Sequence, residues 1–125
     1  MGVFYLNCEI KGVRPGARLV SVTKALVDTG SELSWMPADV LTRARVQVAK
    51  KDVSFVMANG CAVTRSTGYA ILRAGGFETV DEVVFAQAGD LLLLGARTLE
   101  GFGAVVDPRK KRLVAAGPHL AAIGK

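Results

Sequence analysis

The chain has 125 residues, half of them hydrophobic and 22% charged, which allows one domain with a real but small core and argues against disorder. Charges and glycines interrupt every apolar run short of a membrane span. Cys8, Cys61 and the lone His119 are too few for a disulfide framework or a zinc site, so no metal or other cofactor is expected and both cysteines are expected as small buried hydrophobes.

The net charge of +5 and a pI near 9.6 raise the question of nucleic acid. Most basic residues are scattered, and the one cluster, Arg109-Lys110-Lys111-Arg112, has no aromatic neighbour to stack on a base. Flanked by Asp107-Pro108 and Leu113-Val114, it reads as the solvated tip of a hairpin, and nucleic acid is not the expected partner. Met1 to Leu6 lacks a basic n-region, and Leu6 stands where an acylation signal needs Ser or Thr. The expectation is a cytoplasmic protein without a membrane partner.

In chain order, Val3 to Ile10 is rich in β-branched and aromatic residues and predicts a first strand. Arg14-Pro15-Gly16 turns it into a second strand, Leu19 to Val27, which delivers Asp28. Pro37 to Ala44 predicts a short helix, with Pro tolerated in its first turn and Asp39 complementing the helix dipole. Val53 to Met57 is a strand followed by Asn59-Gly60, for which a tight turn with two positive φ angles is expected. The return strand runs from Cys61 to about Arg73, with a bulge or kink expected at Gly68.

Ala74-Gly75-Gly76 turns into a strand from Phe77 to Phe85, and 87–90 is a loop. The run Leu91-Leu92-Leu93-Leu94-Gly95 suits a strand buried on both faces. Ala96 to Gly101 predicts a short helix stopping at glycine, and Gly103 to Asp107 with Arg112 to Ala115 a closing hairpin. The sum is an all-β, closed or barrel-like fold with two short helices: one domain over 1–116 and an apolar tail over 117–125.

Within that frame Ala25-Leu26-Val27-Asp28-Thr29-Gly30-Ser31 stands out: an apolar strand runs into a carboxylate, a small hydroxyl residue and a glycine. The plain reading is an Asx-type turn in which Asp bonds nearby backbone N–H groups and Gly supplies a positive φ. The same turn can also hold one carboxylate rigidly at the end of a buried strand, facing out of the core.

Taken with the Asn59-Gly60 hairpin, Leu93-Leu94-Gly95, Leu99-Glu100 and the ending Val105-Val106-Asp107-Pro108 with Arg112-Leu113-Val114, this stretch resembles the retropepsin-like aspartic proteases over roughly residues 3 to 115. The resemblance implies that Asp28 is the catalytic carboxylate of an aspartic endopeptidase. It implies that Thr29 ties two active-site loops together across a homodimer and that Gly30 permits the tight turn; Ser31 and Glu32, next along the chain, are expected to support the loop. Ala58, Asn59, Gly60 and Cys61 would lie near the tip of a flap over an extended peptide, and Leu93, Leu94 and Gly95 would pack behind the catalytic loop. Ser31 stands where retroviral members usually carry Ala, the flap tip has one glycine, and the tail from Gly117 has no counterpart.

Hydrolysis by an activated water needs one group to take its proton and another to polarise the carbonyl, and two close carboxylates sharing a proton do both. Aspartic proteases are the type case of that arrangement. This chain has one Asp-Thr-Gly, since Asp90 and Asp107 lack the Thr-Gly turn, so a symmetric homodimer is expected to complete the site. Glu32 and Arg97, each just beyond a candidate loop glycine, either pair and brace both loops or leave Glu32 exposed. Trp35 and Met36 are expected in the core or a groove wall. A catalytically silent module that binds peptides or dimerises is the alternative to the enzyme.

Overall fold

The computed structural model describes residues 3–118. It is mostly β, with strands β1 Tyr5–Gly12, β2 Val20–Val27, β3 Ser34–Pro37, β4 Val48–Val56, β5 Ala62–Ala74, β6 Phe77–Ala86, β7 Leu93–Leu94, β8 Ala104–Asp107 and β9 Arg112–Ala115. Two helices, α1 Ala38–Arg43 and α2 Ala96–Phe102, complete it. Seven strands pair in the order β1-β2-β7-β3-β6-β5-β4, and β1 also pairs with β5, so the ladder returns to its own first strand. The thirteen-residue β5 makes this possible: its first half pairs with β4 and its second half with β1, while β6 lies along its other edge. The β8–β9 hairpin is a separate two-stranded sheet.

The main core is built from alternating inward residues. Ile10, Met36, Leu41, Leu72, Val83 and Leu94 are fully buried, and each such side chain contributes roughly 1.5–3 kcal/mol on burial. A second, smaller cluster gathers Leu33, Trp35, Val84, Ala86 and Leu93, with the partly buried Leu26, Phe55, Met57 and Val63 packed on it. Trp35 and Phe55 meet edge to face with ring centroids 5.0 Å apart. The first cluster holds the body together, and the second joins β2, β3 and β7 to the β4–β5 hairpin.

A bulge in β2 decides which cluster the end of that strand serves. Leu6 pairs with Ala25 and Cys8 with Val22, so β2 carries one extra residue there. Lys24 takes a φ of 58°, and its N–H donates to Asn7 Oδ1 at 3.1 Å. Val20 and Val22 face the main core before the bulge and Ala25 and Val27 after it, because one inserted residue switches the alternation. Leu26 is thereby turned to the second cluster, and the same period of two carries Asp28 to that side.

Several elements differ from the sequence reading. β3 was not anticipated, because four residues between a turn and a helix leave too short a window for strand periodicity. Trp35 and Met36 on it are buried, as expected. β4 begins at Val48 rather than Val53; its polar start, Lys50-Lys51-Asp52, is tolerated because that part is exposed and carries two register shifts. A register shift does fall at Gly68, since Val48 pairs with Gly68 and Lys50 with Thr67, but the extra residue lies on β4. The glycine itself serves a close backbone approach, because a Cβ there would lie 2.3 Å from the Gln47 carbonyl oxygen. The leucine run yields only a two-residue strand, with Leu91 largely exposed. α2 continues through Gly101 and stops at Gly103, whose φ of 67° makes a left-handed cap. Cys8 is buried, but Cys61 is exposed on the hairpin loop. His119 and the rest of the tail to Lys125 lie outside the described residues.

Candidate active site

Asp28 follows β2 directly. Leu26 and Val27 pair in parallel with Leu93 and Leu94, and the Asp28 N–H donates to the Leu94 carbonyl at 3.0 Å. The chain then turns: Gly30 N–H donates to Asp28 Oδ1 at 2.9 Å and Ser31 N–H to the Asp28 carbonyl at 3.3 Å. This is the expected Asx-type turn with one difference. Gly30 does not take a positive φ; its contribution is space, since a Cβ there would sit 3.1 Å from Asp28 Oδ1. Asp28 is half-buried, and Thr29 and Gly30 are exposed.

The loop beyond Asp28 is bonded to the segment after β7. Ala96 N–H donates to the Ser31 carbonyl at 2.7 Å, and Arg97 N–H to the Glu32 carbonyl at 3.0 Å. Ser31 Oγ donates to the Leu33 carbonyl at 2.9 Å. Gly95 is buried against this loop so closely that a Cβ would fall 2.5 Å from the Leu33 carbonyl oxygen. Glu32 and Arg97 therefore meet through their backbones and not as an ion pair. Glu32 is exposed, and the Arg97 guanidinium lies 3.9 Å from Glu82 Oε1 instead, because the helical start at Ala96 turns that side chain toward β6.

A buried polar chain, absent from the sequence reading, supports these loops. Gly95 N–H donates to Ser34 Oγ at 2.9 Å, and Ser34 Oγ lies 2.6 Å from Thr98 Oγ1. Thr98 Oγ1 donates to Asp81 Oδ2 at 3.0 Å, which spends its proton, so the Ser34 hydroxyl donates to Thr98. Asp81 Oδ1 in turn accepts the Glu82 N–H at 2.7 Å. Ser34 and Thr98 are fully buried, and leaving either unpaired would cost about 1–3 kcal/mol. The only sequence signal was the polar character of positions inside otherwise apolar stretches.

Glu82 continues the network outward. It accepts from the buried Thr67 hydroxyl at 2.7 Å and lies 3.3 Å from Lys50 Nζ. Burial pushes its carboxyl up, but the Thr67 bond, Lys50 and Arg97 outweigh burial and hold it below the usual carboxylate range. Two residues along β5 from Thr67, Arg65 grips Asp90 with two bonds of 2.8 and 2.9 Å, and Asp90 also accepts the Gln87 N–H. The Arg65 bond, working against burial and helped by the Gln87 amide, holds Asp90 below its usual range. This pair ties the β4–β5 hairpin to the loop that enters β7.

At the tip of that hairpin, Gly60 N–H donates to the Met57 carbonyl and Met57 N–H to the Cys61 carbonyl, both at 2.8 Å. Gly60 alone has a positive φ, 85°, while the Asn59 side chain accepts the Cys61 N–H at 3.0 Å. The turn is thus a three-residue loop ending in a left-handed glycine and not the expected two-residue turn with two positive φ angles. Ala58, Asn59, Gly60 and Cys61 are all exposed.

The arrangement defines a class of site: a half-buried carboxylate held by backbone bonds at a strand end, on the side of β2 that Leu26 presents to the second apolar cluster. Among the described residues no group of three or more His, Cys, Asp or Glu is placed to hold a metal ion. A family model for aspartyl proteases matches residues 7–98, from β1 into α2, with Asp28 inside the match. The chain belongs to the aspartyl protease family. No curated protein matches it.

Among the described residues no helix is long and apolar enough to cross a membrane.

Proposed function

We propose that the protein is a retropepsin-like, homodimeric aspartic endopeptidase that hydrolyses peptide bonds of extended polypeptide segments. The observation that carries this reading is the mounting of Asp28: its backbone is bonded to Leu94, one carboxylate oxygen is held by Gly30, and it remains half-accessible. One chain supplies one such carboxylate, so a second copy is needed, with Asp28 and the partner subunit's Asp28 on the two-fold axis. The unit that pairs would be the barrel-like domain of residues 1–116, with 117–125 appended.

Two carboxylates so close share one proton, because both cannot ionise. The ionised one takes a proton from water as the water oxygen bonds to the peptide carbonyl carbon. The protonated one donates to the carbonyl oxygen. Collapse of the tetrahedral intermediate returns a proton to the leaving nitrogen and breaks the C–N bond, leaving an acid and an amine. Thr29 would bridge the two loops, while Ser31 and Glu32, bonded to Ala96 and Arg97, keep each loop rigid. Leu93, Leu94 and Gly95 back the loop, and Ala58, Asn59, Gly60 and Cys61 would close over the peptide as a flap. The partly buried Leu26, Phe55, Met57 and Val63 supply apolar wall for an extended substrate.

The test is cleavage of a mixed peptide library from acidic to neutral pH by the wild type beside Asp28→Asn. Cleavage by the wild type alone, with specific activity falling on dilution, is the expected result. Cleavage retained by Asp28→Asn would remove Asp28 from the mechanism. Silence from a confirmed dimer would leave a peptide-binding or dimerisation module.

A further inference from the structure

The basic residues that look scattered in the sequence are partly gathered by the fold, away from Asp28. Two open clefts, of about 190 and 530 Å³, adjoin through Arg45. Arg14 lines the first, and Arg18 and Arg43 line the second. All four arginines are exposed. Neither lining contains an acidic residue. Among the described residues the one ion pair of these four arginines is the exposed Arg43–Asp39 contact at 3.8 Å, worth little in water, and Glu82, the register partner of Tyr69, is taken up by Thr67 and Lys50. Among the described residues, Arg14, Arg18 and Arg45 form no ion pair.

The backbone beneath this face is firmly held. Arg45 takes a left-handed φ of 62°, one residue beyond the Ala44 cap of α1. Its N–H donates to the Thr42 carbonyl, and Gly12 N–H donates to the neighbouring Ala44 carbonyl at 2.8 Å. Tyr69, 44% exposed, stands in the first cleft beside Arg45. The start of β2 lines the second cleft beside Arg18, Arg43 and Arg45, and Asp28 follows the end of β2, so roughly 25 Å of strand separates the two.

We propose that this arginine face is a binding site for single-stranded nucleic acid, with phosphates on Arg14, Arg18, Arg43 and Arg45 and a base stacked on Tyr69. Every basic residue lining the two clefts is Arg, whose planar fork matches phosphate with two parallel bonds. An acidic peptide would use the same charges but leave the exposed tyrosine ring idle, whereas a single strand presents a π-face at each base. A duplex keeps its bases stacked inside the helix and would also leave the exposed tyrosine ring idle.

The test is fluorescence anisotropy of a labelled twelve-residue oligo-dT or oligo-U with the full chain, between 50 and 200 mM salt. Four neutralised phosphates on a single strand give a log–log salt slope of about −2.8, or roughly a 50-fold loss of affinity over that range. Arg14→Ala, Arg18→Ala and Arg43→Ala combined should flatten the slope to about −0.7. Tyr69→Phe should retain affinity and Tyr69→Ala should lose at least about fivefold. These side chains are exposed, and a thermal melt checks that each variant is folded. Absence of oligonucleotide binding by the wild type at 50 mM salt would overturn the proposal, as would polyglutamate competing as well as the oligonucleotide. Unaltered binding by the folded triple variant would overturn it too. None of these readouts depends on peptide cleavage.

Discussion

Replacing Gly95 by Ala tests the packing behind Asp28 most directly. The added methyl would lie 2.5 Å from the Leu33 carbonyl oxygen, 2.7 Å from its carbon and 2.9 Å from the Glu32 oxygen. All three are backbone atoms, so no side chain can swing away. Reaching ordinary contact requires the Glu32–Leu33 segment to retreat by about 0.9 Å. That segment is held by Ala96 N–H on Ser31 and Arg97 N–H on Glu32, at 2.7 and 3.0 Å, and the retreat stretches both. Overpacking costs about 1–3 kcal/mol, and each loosened bond about 0.5–1.5 kcal/mol. The expected loss is therefore about 2–6 kcal/mol, a large part of a typical total of about 5–15 kcal/mol. Urea unfolding at one fixed protein concentration measures it, fixed because a dimer's stability depends on concentration.

Gly30→Ala is the companion variant. Its methyl would meet only the Asp28 Oδ1 atom, at 3.1 Å, at a position without positive φ. A loss under about 1 kcal/mol is expected, together with reduced peptide cleavage as the Asp28 carboxylate shifts. A Gly95→Ala protein within about 0.5 kcal/mol of wild type would refute the packing argument.

Ser34→Ala leaves the Gly95 N–H without an acceptor and Thr98 Oγ1 without its donor, so a loss of about 1–3 kcal/mol is expected in urea unfolding; Ser34→Thr, which keeps the hydroxyl, should recover part of it. The Asp90 carboxyl is held below its usual value by Arg65, so the pair stabilises the fold above the ordinary Asp value of 3.8, and this contribution is lost as pH falls through the lower folded-state value. Wild type should thus exceed Asp90→Asn in stability at pH 7, and the two should converge below pH 3.8; parallel curves would contradict the assignment. Burial, with a smaller push from Glu9, raises the Cys8 thiol to about 12, whereas Cys61 is exposed. A thiol reagent at neutral pH should label one cysteine of the native chain and none in Cys61→Ser, with mass spectrometry as the readout.

The features legible in the sequence were those set by neighbours in the chain. Asp-Thr-Gly after an apolar run marks a strand end with a capped carboxylate, because Asp bonds the amide two residues on whatever the rest of the fold does. The Arg109 to Arg112 hairpin tip was equally local, with Asp107 accepting the Arg109 and Lys110 amides. The strand-rich composition and the turn positions followed from alternation and glycine placement in windows of a few residues.

Tertiary structure alone decided what depends on residues far apart. Ser34 is 64 positions from Thr98, and nothing local to either predicts that they form a hydrogen-bonded chain to Asp81. Arg97 reached Glu82 rather than Glu32 because helix α2 begins at Ala96, a boundary set by contact with the loop after Asp28. The bulge at Lys24, which switches β2 between clusters, is visible only through its pairing with β1, since a positive φ at lysine has no sequence signature. Local backbone preference names the turn and its carboxylate; which side of the molecule that carboxylate faces is set by the register between strands, a property of pairs and not of any one segment.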